Sequence, residues 1–257
     1  MNISKVIIIS VFCCYSLSSA GQKFSVGMKA GVLATYTNYV DTGDSLKSGI
    51  KPGFSFGGIV GFPMKKNYTF QVEAGYSKQG RVWKYTPNSD QWSSTYNFID
   101  LSMALKKSFR LKIKENISSN WFFTIGPNVN YWLSGKGKMV PYFGIHQKYS
   151  MVFDQKPNYS YTQIHINEEN RWLFGLNFGI GWHFITLKNQ KIFTELRLTL
   201  GQTYLGKRHS ETLGGTPSIS DEMSLKCNLK TLNFSVGYIF DRDLQKGKMG
   251  KSTKKLK

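Results

Sequence analysis

The sequence predicts an all-β fold, an eight-stranded antiparallel up-and-down transmembrane β-barrel, and three observations predict it. Large apolar residues recur at every second position in eight separate segments, the period of a strand whose two faces meet different surroundings. Short and long connections alternate between the segments, as in a meander that closes on itself with both termini on the short-turn side. Aromatic residues recur ten positions apart on one face of two segments, a spacing that matches the thickness of a membrane.

The first segment, 23–33, sets Phe24, Val26, Met28, Ala30 and Val32 against Ser25, Gly27, Lys29 and Gly31. In 53–62, Phe54, Phe56, Val60 and Phe62 oppose Gly53, Ser55, Gly57 and Gly61; in 68–77, Tyr68, Phe70, Val72, Ala74 and Tyr76 oppose Gln71, Glu73, Gly75 and Ser77. Segment 97–113 carries Ile99, Leu101, Met103, Leu105, Phe109, Leu111 and Ile113 on one face, and Lys107 interrupts it where the strand is expected to leave the membrane. Segment 120–133 places Trp121, Phe123, Ile125, Val129, Tyr131 and Leu133 opposite Thr124, Gly126, Asn128 and Asn130. The sixth, WLFGLNFGIGWHFIT at 172–186, is the clearest: Trp172 to Phe184 are uniformly large and apolar, with Gly175, Asn177, Gly179, Gly181 and His183 between them. Segments 191–204 and 231–240 complete the set, the former with Glu195 and Arg197 on its polar face. The short connections are 63–67, 114–119 and 188–190; the long ones lie near 34–52, 78–96, 134–170 and 205–230.

Alternation alone does not say which face meets water, because a soluble lipocalin-type barrel also has eight strands, with the apolar face inside. Here the apolar face is almost free of charge, while the other face is rich in glycine and carries Glu73, Glu195, Arg197, Asn128 and Asn177, suited to a narrow hydrated lumen. Trp121 and Tyr131, like Trp172 and Trp182, share a face ten residues apart. At about 3.3 Å per residue and a tilt of ~45°, that separation spans roughly 23 Å along the membrane normal. Outer-membrane barrels carry an apolar band about 25 Å tall with aromatic girdles at both rims, so these four residues are the expected rim aromatics.

Lys5 precedes an apolar run from Val6 to Leu17 and small residues at Ser18 and Ala20, the pattern of a secretory signal peptide over 1–20. The run is too short for a membrane-spanning helix, and a lipoprotein signal would need a small residue before Cys13 or Cys14. The barrel is then expected over 21–240. Without 1–20 the one cysteine is Cys227, so an internal disulfide is not expected. Net charge over the 257 residues is +19. Export makes nucleic acid an unsuitable partner for that charge; anionic lipid, lipopolysaccharide or cell-wall polymer suits it better. The end of the chain, 241–257, carries Lys246, Lys248, Lys251, Lys254, Lys255 and Lys257 and reads as a basic, disordered periplasmic tail able to dock to an anionic surface or an acidic partner. Lys106, Lys107, Arg110, Lys112 and Lys114 form a second basic cluster expected on the same side.

The stretches GQKFSVGMKAGV, YTFQVEAGYSKQG, IDLSMALKKSF, FFTIGPNVNYWLSG and LNFSVGYIF together resemble the PorT-like outer-membrane β-barrel domain common in Bacteroidetes, over about Gln22 to Phe240. The resemblance implies the barrel fold and an outer-membrane location with periplasmic termini. Its founding members are implicated in type IX protein secretion and gliding motility, which makes a secretion-system or other periplasmic protein an expected partner. The last strand ends on the aromatic Phe240, like the terminal signal of such barrels, although seventeen residues follow it here.

Few residues in the sequence are arranged for chemistry. His146, His165, His183 and His209 form no zinc-binding pattern, and there is no cysteine pair to help. GKMGKSTKK fails the phosphate-loop spacing, since Gln245 stands where the first glycine belongs. No catalytic residue, cofactor or metal is expected. Glu73, His183, Glu195 and Arg197 face the lumen and are expected to form a paired structural network, because charges in a small interior must be neutralised. The competing functions are a small barrel enzyme using His183 and Glu195 as base and orienting group, and a narrow pore. Tyr149, Tyr159 and Tyr161 in the longest connection suit either recognition or a strand hairpin that extends past the membrane.

Overall fold

The computed structural model describes residues 23–39, 46–85, 91–114, 117–140, 147–153, 163–166, 169–187, 190–206 and 225–243. They form β1 (Lys23–Tyr39), β2 (Leu46–Gly49), β3 (Lys51–Pro63), β4 (Tyr68–Tyr85), β5 (Gln91–Lys114), β6 (Ile117–Val140), β7 (Gln147–Phe153), β8 (Gln163–Ile166), β9 (Trp172–Leu187), β10 (Gln190–Gly201) and β11 (Cys227–Asp243). Eight of these close a ring of antiparallel neighbours, in the order β1, β3, β4, β5, β6, β9, β10, β11 and back to β1. Closure leaves no sheet edge in the ring and satisfies its backbone groups internally, which lipid requires. The expected signal segment 1–20 and the lysines of the tail lie outside the described residues.

The registers fix the size of the barrel. One circuit starts at Val26, passes Val60, Val72 and Met103, crosses to Pro127 in the register set by Ser102–Asn128 and Leu105–Ile125, continues through Leu176, Leu200 and Lys230, and returns to β1 at Tyr36, ten residues further on. Eight strands with a shear of ten imply a tilt of ~40° and a radius of roughly 8 Å, an interior that side chains can fill. At that tilt the ten residues between the rim aromatics span roughly 25 Å.

The faces follow the alternation. Phe56, Leu101, Phe123, Phe174, Phe178, Leu198 and Phe234 are exposed on the outside of the wall. An exposed apolar belt around a whole barrel exceeds any patch that a water-soluble monomer tolerates. The rim aromatics meet across strands: Trp121 lies 5.3 Å from Trp182 and Tyr131 lies 4.8 Å from Trp172, ring centre to ring centre. Arg171 stacks on Tyr131 and on Phe153, and its Nε donates to the Trp132 carbonyl, fixing the upper rim.

Three details differ from the sequence-based expectations. The strands run further towards the long connections: β6 continues to Val140, a bulge near Asn97 and Phe98 resets its register with β5, and β2, β7 and β8 add to the sheet there. Beyond the rim the outer face turns polar, so the apolar alternation that marked the strands fades while the backbone pairing continues. β11 likewise continues through Asp241 to Asp243, paired with Lys23–Ser25, and Asp241 accepts a bond from Lys191 Nζ at 2.6 Å. The barrel therefore extends three residues past Phe240. Finally, Lys106 belongs inside. It shares the lumen face with Ser102 and Ala104 and is 5 % exposed, unlike Lys107, whose ammonium lies outside over the Tyr68 and Phe109 rings. Of the expected basic cluster, Lys107 and Arg110 are exposed, and the side chains of Lys112 and Lys114 are outside the described residues.

Candidate functional site

The lumen is filled in layers. At the short-turn end, Ile59, Phe122, Phe193 and Ile239 form a buried apolar plug. Lys106 closes it from above, its ammonium 3.8 Å from the centre of the Phe122 ring, which supplies a cation–π partner to an otherwise buried charge. His183 lies against the same plug, with ring centres 4.7 Å from Phe122 and 5.9 Å from Phe193.

An ion layer sits at mid-membrane height. Arg197 on β10 donates from both terminal nitrogens to Glu73 on β4, each at 2.6 Å, and also to both oxygens of Glu195 at 2.8 and 2.9 Å. β4 and β10 are four strands apart in either direction round the ring, so this contact crosses the full diameter. Lys29 on β1 donates to Glu73 at 2.5 Å and lies 3.6 Å from Glu195. Gln71 Nε2 donates to Glu73 and Thr124 Oγ1 to Glu195. Two cations thus neutralise two carboxylates, with Glu73, Glu195 and Arg197 buried and Lys29 partly so, and additional donors complete the oxygens. The geometry is bidentate, the strongest available to such groups. The glycines of β9 make this possible. A Cβ on Gly179 would run into Thr124 Oγ1 and Glu195 Oε1, and one on Gly181 into the Phe122 ring.

Above the ions is a polar cavity of about 80 Å³, bounded among others by Lys29, Ser77, Asp100, Asn130, Thr199 and Thr231. Asp100 Oδ1, Asn128 Oδ1 and Asn233 Oδ1 are buried there without a protein donor, so the space suits a few water molecules. The uppermost layer lies beyond the rim. Trp83 and Trp92 stack at 5.1 Å, and Tyr96, Phe98, Trp132, Tyr149, Met151, Leu205 and Cys227 pack with them into the larger buried cluster of the molecule. Burial raises the Cys227 thiol pKa and, in the same layer, that of the Tyr149 phenol, which also shares a 2.9 Å hydrogen bond with Ser94.

The expected network is therefore part right. Glu73, Glu195 and Arg197 meet; Lys29, Gln71 and Thr124 join them. Lys29 was legible from its place on the polar face of the first segment. His183 does not join. It stands opposite Phe193, one layer nearer the short turns than Glu195, and its Nδ1 has no partner. The base-and-carboxylate pair required by the enzyme reading is not assembled. Tyr149 points into the aromatic layer and so offers no recognition surface, whereas Tyr159 and Tyr161 lie outside the described residues, as do His146 and His209. Among the described residues no three His, Cys, Asp or Glu converge on a metal-sized site.

A closed barrel with an apolar, aromatic-rimmed exterior and a polar interior braced by ion pairs defines a transmembrane β-barrel of the outer-membrane kind. The chain belongs to the outer membrane protein β-barrel domain family, whose model matches residues 18–203. No curated protein matches it. Among solved structures it is similar to the outer membrane protein OprG from Pseudomonas aeruginosa, at 8 % identity over 86 % of this chain and 96 % of that one, TM-score 0.48. It is also similar to neisserial surface protein A (12 %, 84 % and 96 %, TM-score 0.37). A third is Ail, the attachment invasion locus protein of Yersinia pestis, solved with the heparin analogue sucrose octasulfate (11 %, 85 % and 99 %, TM-score 0.34).

Proposed function

We propose that this protein is a non-enzymatic outer-membrane barrel that works by binding or assembly at the cell envelope, with its long connections facing outwards and its termini in the periplasm. The observation that carries this reading is where the chain spends its largest core. Trp83, Trp92, Tyr96, Phe98, Trp132 and Tyr149 are buried beyond the upper rim, where nothing is needed to cross the bilayer. Among the described residues the lumen below is filled by paired ions and an apolar plug, and His183 and Glu195 are not paired. A rigid, aromatic-cored projection on a sealed barrel is a platform for contact. The resemblance to PorT-like domains makes an accessory role in protein secretion or gliding motility the specific form of assembly to test, and the basic tail from Lys246 onwards its docking element.

The test has two arms. Amine-reactive labelling of intact cells should modify Lys84 and Lys138 and spare Lys65 and Lys66 in the short β3–β4 turn. The reverse pattern refutes the orientation. Cross-linked purification of the full chain, beside one ending at Asp243, should recover a defined set of envelope proteins that is lost on truncation. Recovery of lipid alone from both removes the secretion role.

A further inference from the structure

The outer face of the projection carries lysines that no carboxylate among the described residues neutralises. β2, β4, β5, β6 and β7 pair in that order beyond the rim, so their outward residues form one surface. Two lysine pairs on it stand directly opposite each other across strands: Lys47 faces Lys84, and Lys138 faces Lys148. Lys136 lies on the same face two residues below Lys138, and Lys51 and Lys78, which act on each other as like charges, lie at the rim. Between them stand Ser93, Thr95, Asn97 and Ser134, with Lys51 Nζ donating to Ser93 Oγ at 2.6 Å. Among the described residues none of these lysines has a carboxylate partner, and Glu169 is the one acid beyond this rim.

A solvated sheet face ordinarily mixes both signs, and like charges directly opposite each other destabilise a strand pair. Two such pairs on a face where the described strands place no acid point to a ligand that supplies the missing negative charge. Its position says which. The surface continues the lipid-facing side of the same strands, so it looks sideways over the membrane rather than up from the barrel mouth. Lys51 and Lys78 are level with the rim, and Lys84 and Lys138 stand about six residues higher, roughly 15 Å along the normal. The headgroup zone of a simple phospholipid leaflet is only about 5–7 Å deep. A headgroup that meets the whole ladder must therefore carry its phosphates on an extended glycan.

We propose that the outward face of β2, β4, β5, β6 and β7, with the Lys51 side chain that reaches onto it from the start of β3, binds a phosphorylated glycolipid of the leaflet beside it, with Lys51 and Lys78 on the membrane-proximal phosphates and Lys136, Lys138, Lys148, Lys47 and Lys84 on those of the glycan above. The inference rests on the outward orientation proposed above for the physiological lipid; the surface itself can be tested in either orientation.

The experiment titrates a bis-phosphorylated lipid A carrying a phosphorylated core oligosaccharide into full-length protein in neutral detergent micelles, with native mass spectrometry counting bound lipid. Lys51→Gln/Lys78→Gln/Lys136→Gln/Lys138→Gln should bind it roughly a hundredfold more weakly than wild type. The enzymatically dephosphorylated glycolipid should bind wild type no better than intact lipid binds that variant. Lys65→Gln/Lys66→Gln/Arg110→Gln, at the opposite end, should bind normally, and heat-modifiable migration on gels should show both variants folded. A Lys→Arg version of the four-site variant should retain binding. Equal binding by wild type and the four-site Gln variant overturns the proposal, as does an equal loss in the opposite-end variant, which would make the effect one of net charge. Complete displacement by inositol hexakisphosphate at equal phosphate concentration would assign the surface to a soluble polyanion instead. If cell labelling reverses the orientation while the micelle result stands, the functional reading fails and the binding surface does not.

Discussion

The lumen at mid-membrane and the outer face of the projection both hold clusters of charge, and they treat it in opposite ways. In the lumen Arg197, Lys29, Glu73 and Glu195 neutralise one another within hydrogen-bond distance, with Gln71 and Thr124 completing the acceptors. On the projection, lysines face lysines. The contrast separates structure from binding: charge that is fully paired within the chain holds the barrel, and charge that is left unpaired is available to something else.

The largest break in that comparison comes from the lumen. Arg197→Met leaves two buried carboxylates with Lys29 as their one ion-pair partner among the described residues and should destabilise the barrel by about 3–5 kcal/mol, read as a lower urea midpoint of heat-modifiable migration. Adding Glu73→Gln should recover much of that loss, because removing both partners strands no charge. A double variant as unstable as the single one contradicts the neutral brace.

Next in size is the aromatic layer. Trp83→Ala removes a fully buried ring stacked on Trp92 and should cost about 3–5 kcal/mol locally. Because that layer lies beyond the rim, proteolysis should open the long-connection end while the membrane-embedded strands stay protected. Loss of the whole barrel would show that the two regions fold as one unit.

Cys227 sharpens the boundary of the same layer. Its raised pKa means that the folded state holds the thiol proton above the pH at which the unfolded chain releases it. Stability from this group is present below an ordinary thiol pKa of about 8.5 and declines as pH rises beyond it. Maleimide should therefore label Cys227 slowly in the folded protein even at pH 9 and rapidly in urea. Fast native labelling would place the thiol at the surface.

The smallest effect has the opposite sign to the first. Lys138→Gln removes one of two opposed lysines and should stabilise the lipid-free protein by a few tenths of a kcal/mol while weakening glycolipid binding. A destabilised variant would indicate that Lys138 already has a partner in the chain.

Most of the fold was legible because lipid outside and a narrow lumen inside impose period two on every spanning strand. The rim residues Trp121, Tyr131, Trp172 and Trp182 could be found from spacing alone. Parity also places Lys29, Glu73, Glu195 and Arg197 inside, and the same rule would have placed Lys106 inside had its basic neighbours not suggested a solvated cluster. Contacts across the lumen were less legible. Which residues share a height depends on the shear, a property of the closed ring, so His183 could be assigned to the right face and still to the wrong layer. The projection was hidden for another reason. Past the rim both faces of a strand stop alternating between lipid and lumen, and the pairing of β6 with β7 is carried by the backbone under Gly135, Lys136 and Gly137.

If the lumen braces the barrel and the projection carries the proposed binding surface, mutation should separate the two. The most direct measurement is cross-linked recovery of envelope components, glycolipid included, from cells carrying either a neutralised lumen (Glu73→Gln/Arg197→Met) or a neutralised outer face (Lys51→Gln/Lys78→Gln/Lys136→Gln/Lys138→Gln). Recovery from the first should equal wild type, once matched for folded protein, and recovery from the second should be lost. Loss from the lumen variant with recovery intact in the outer-face variant would contradict that separation.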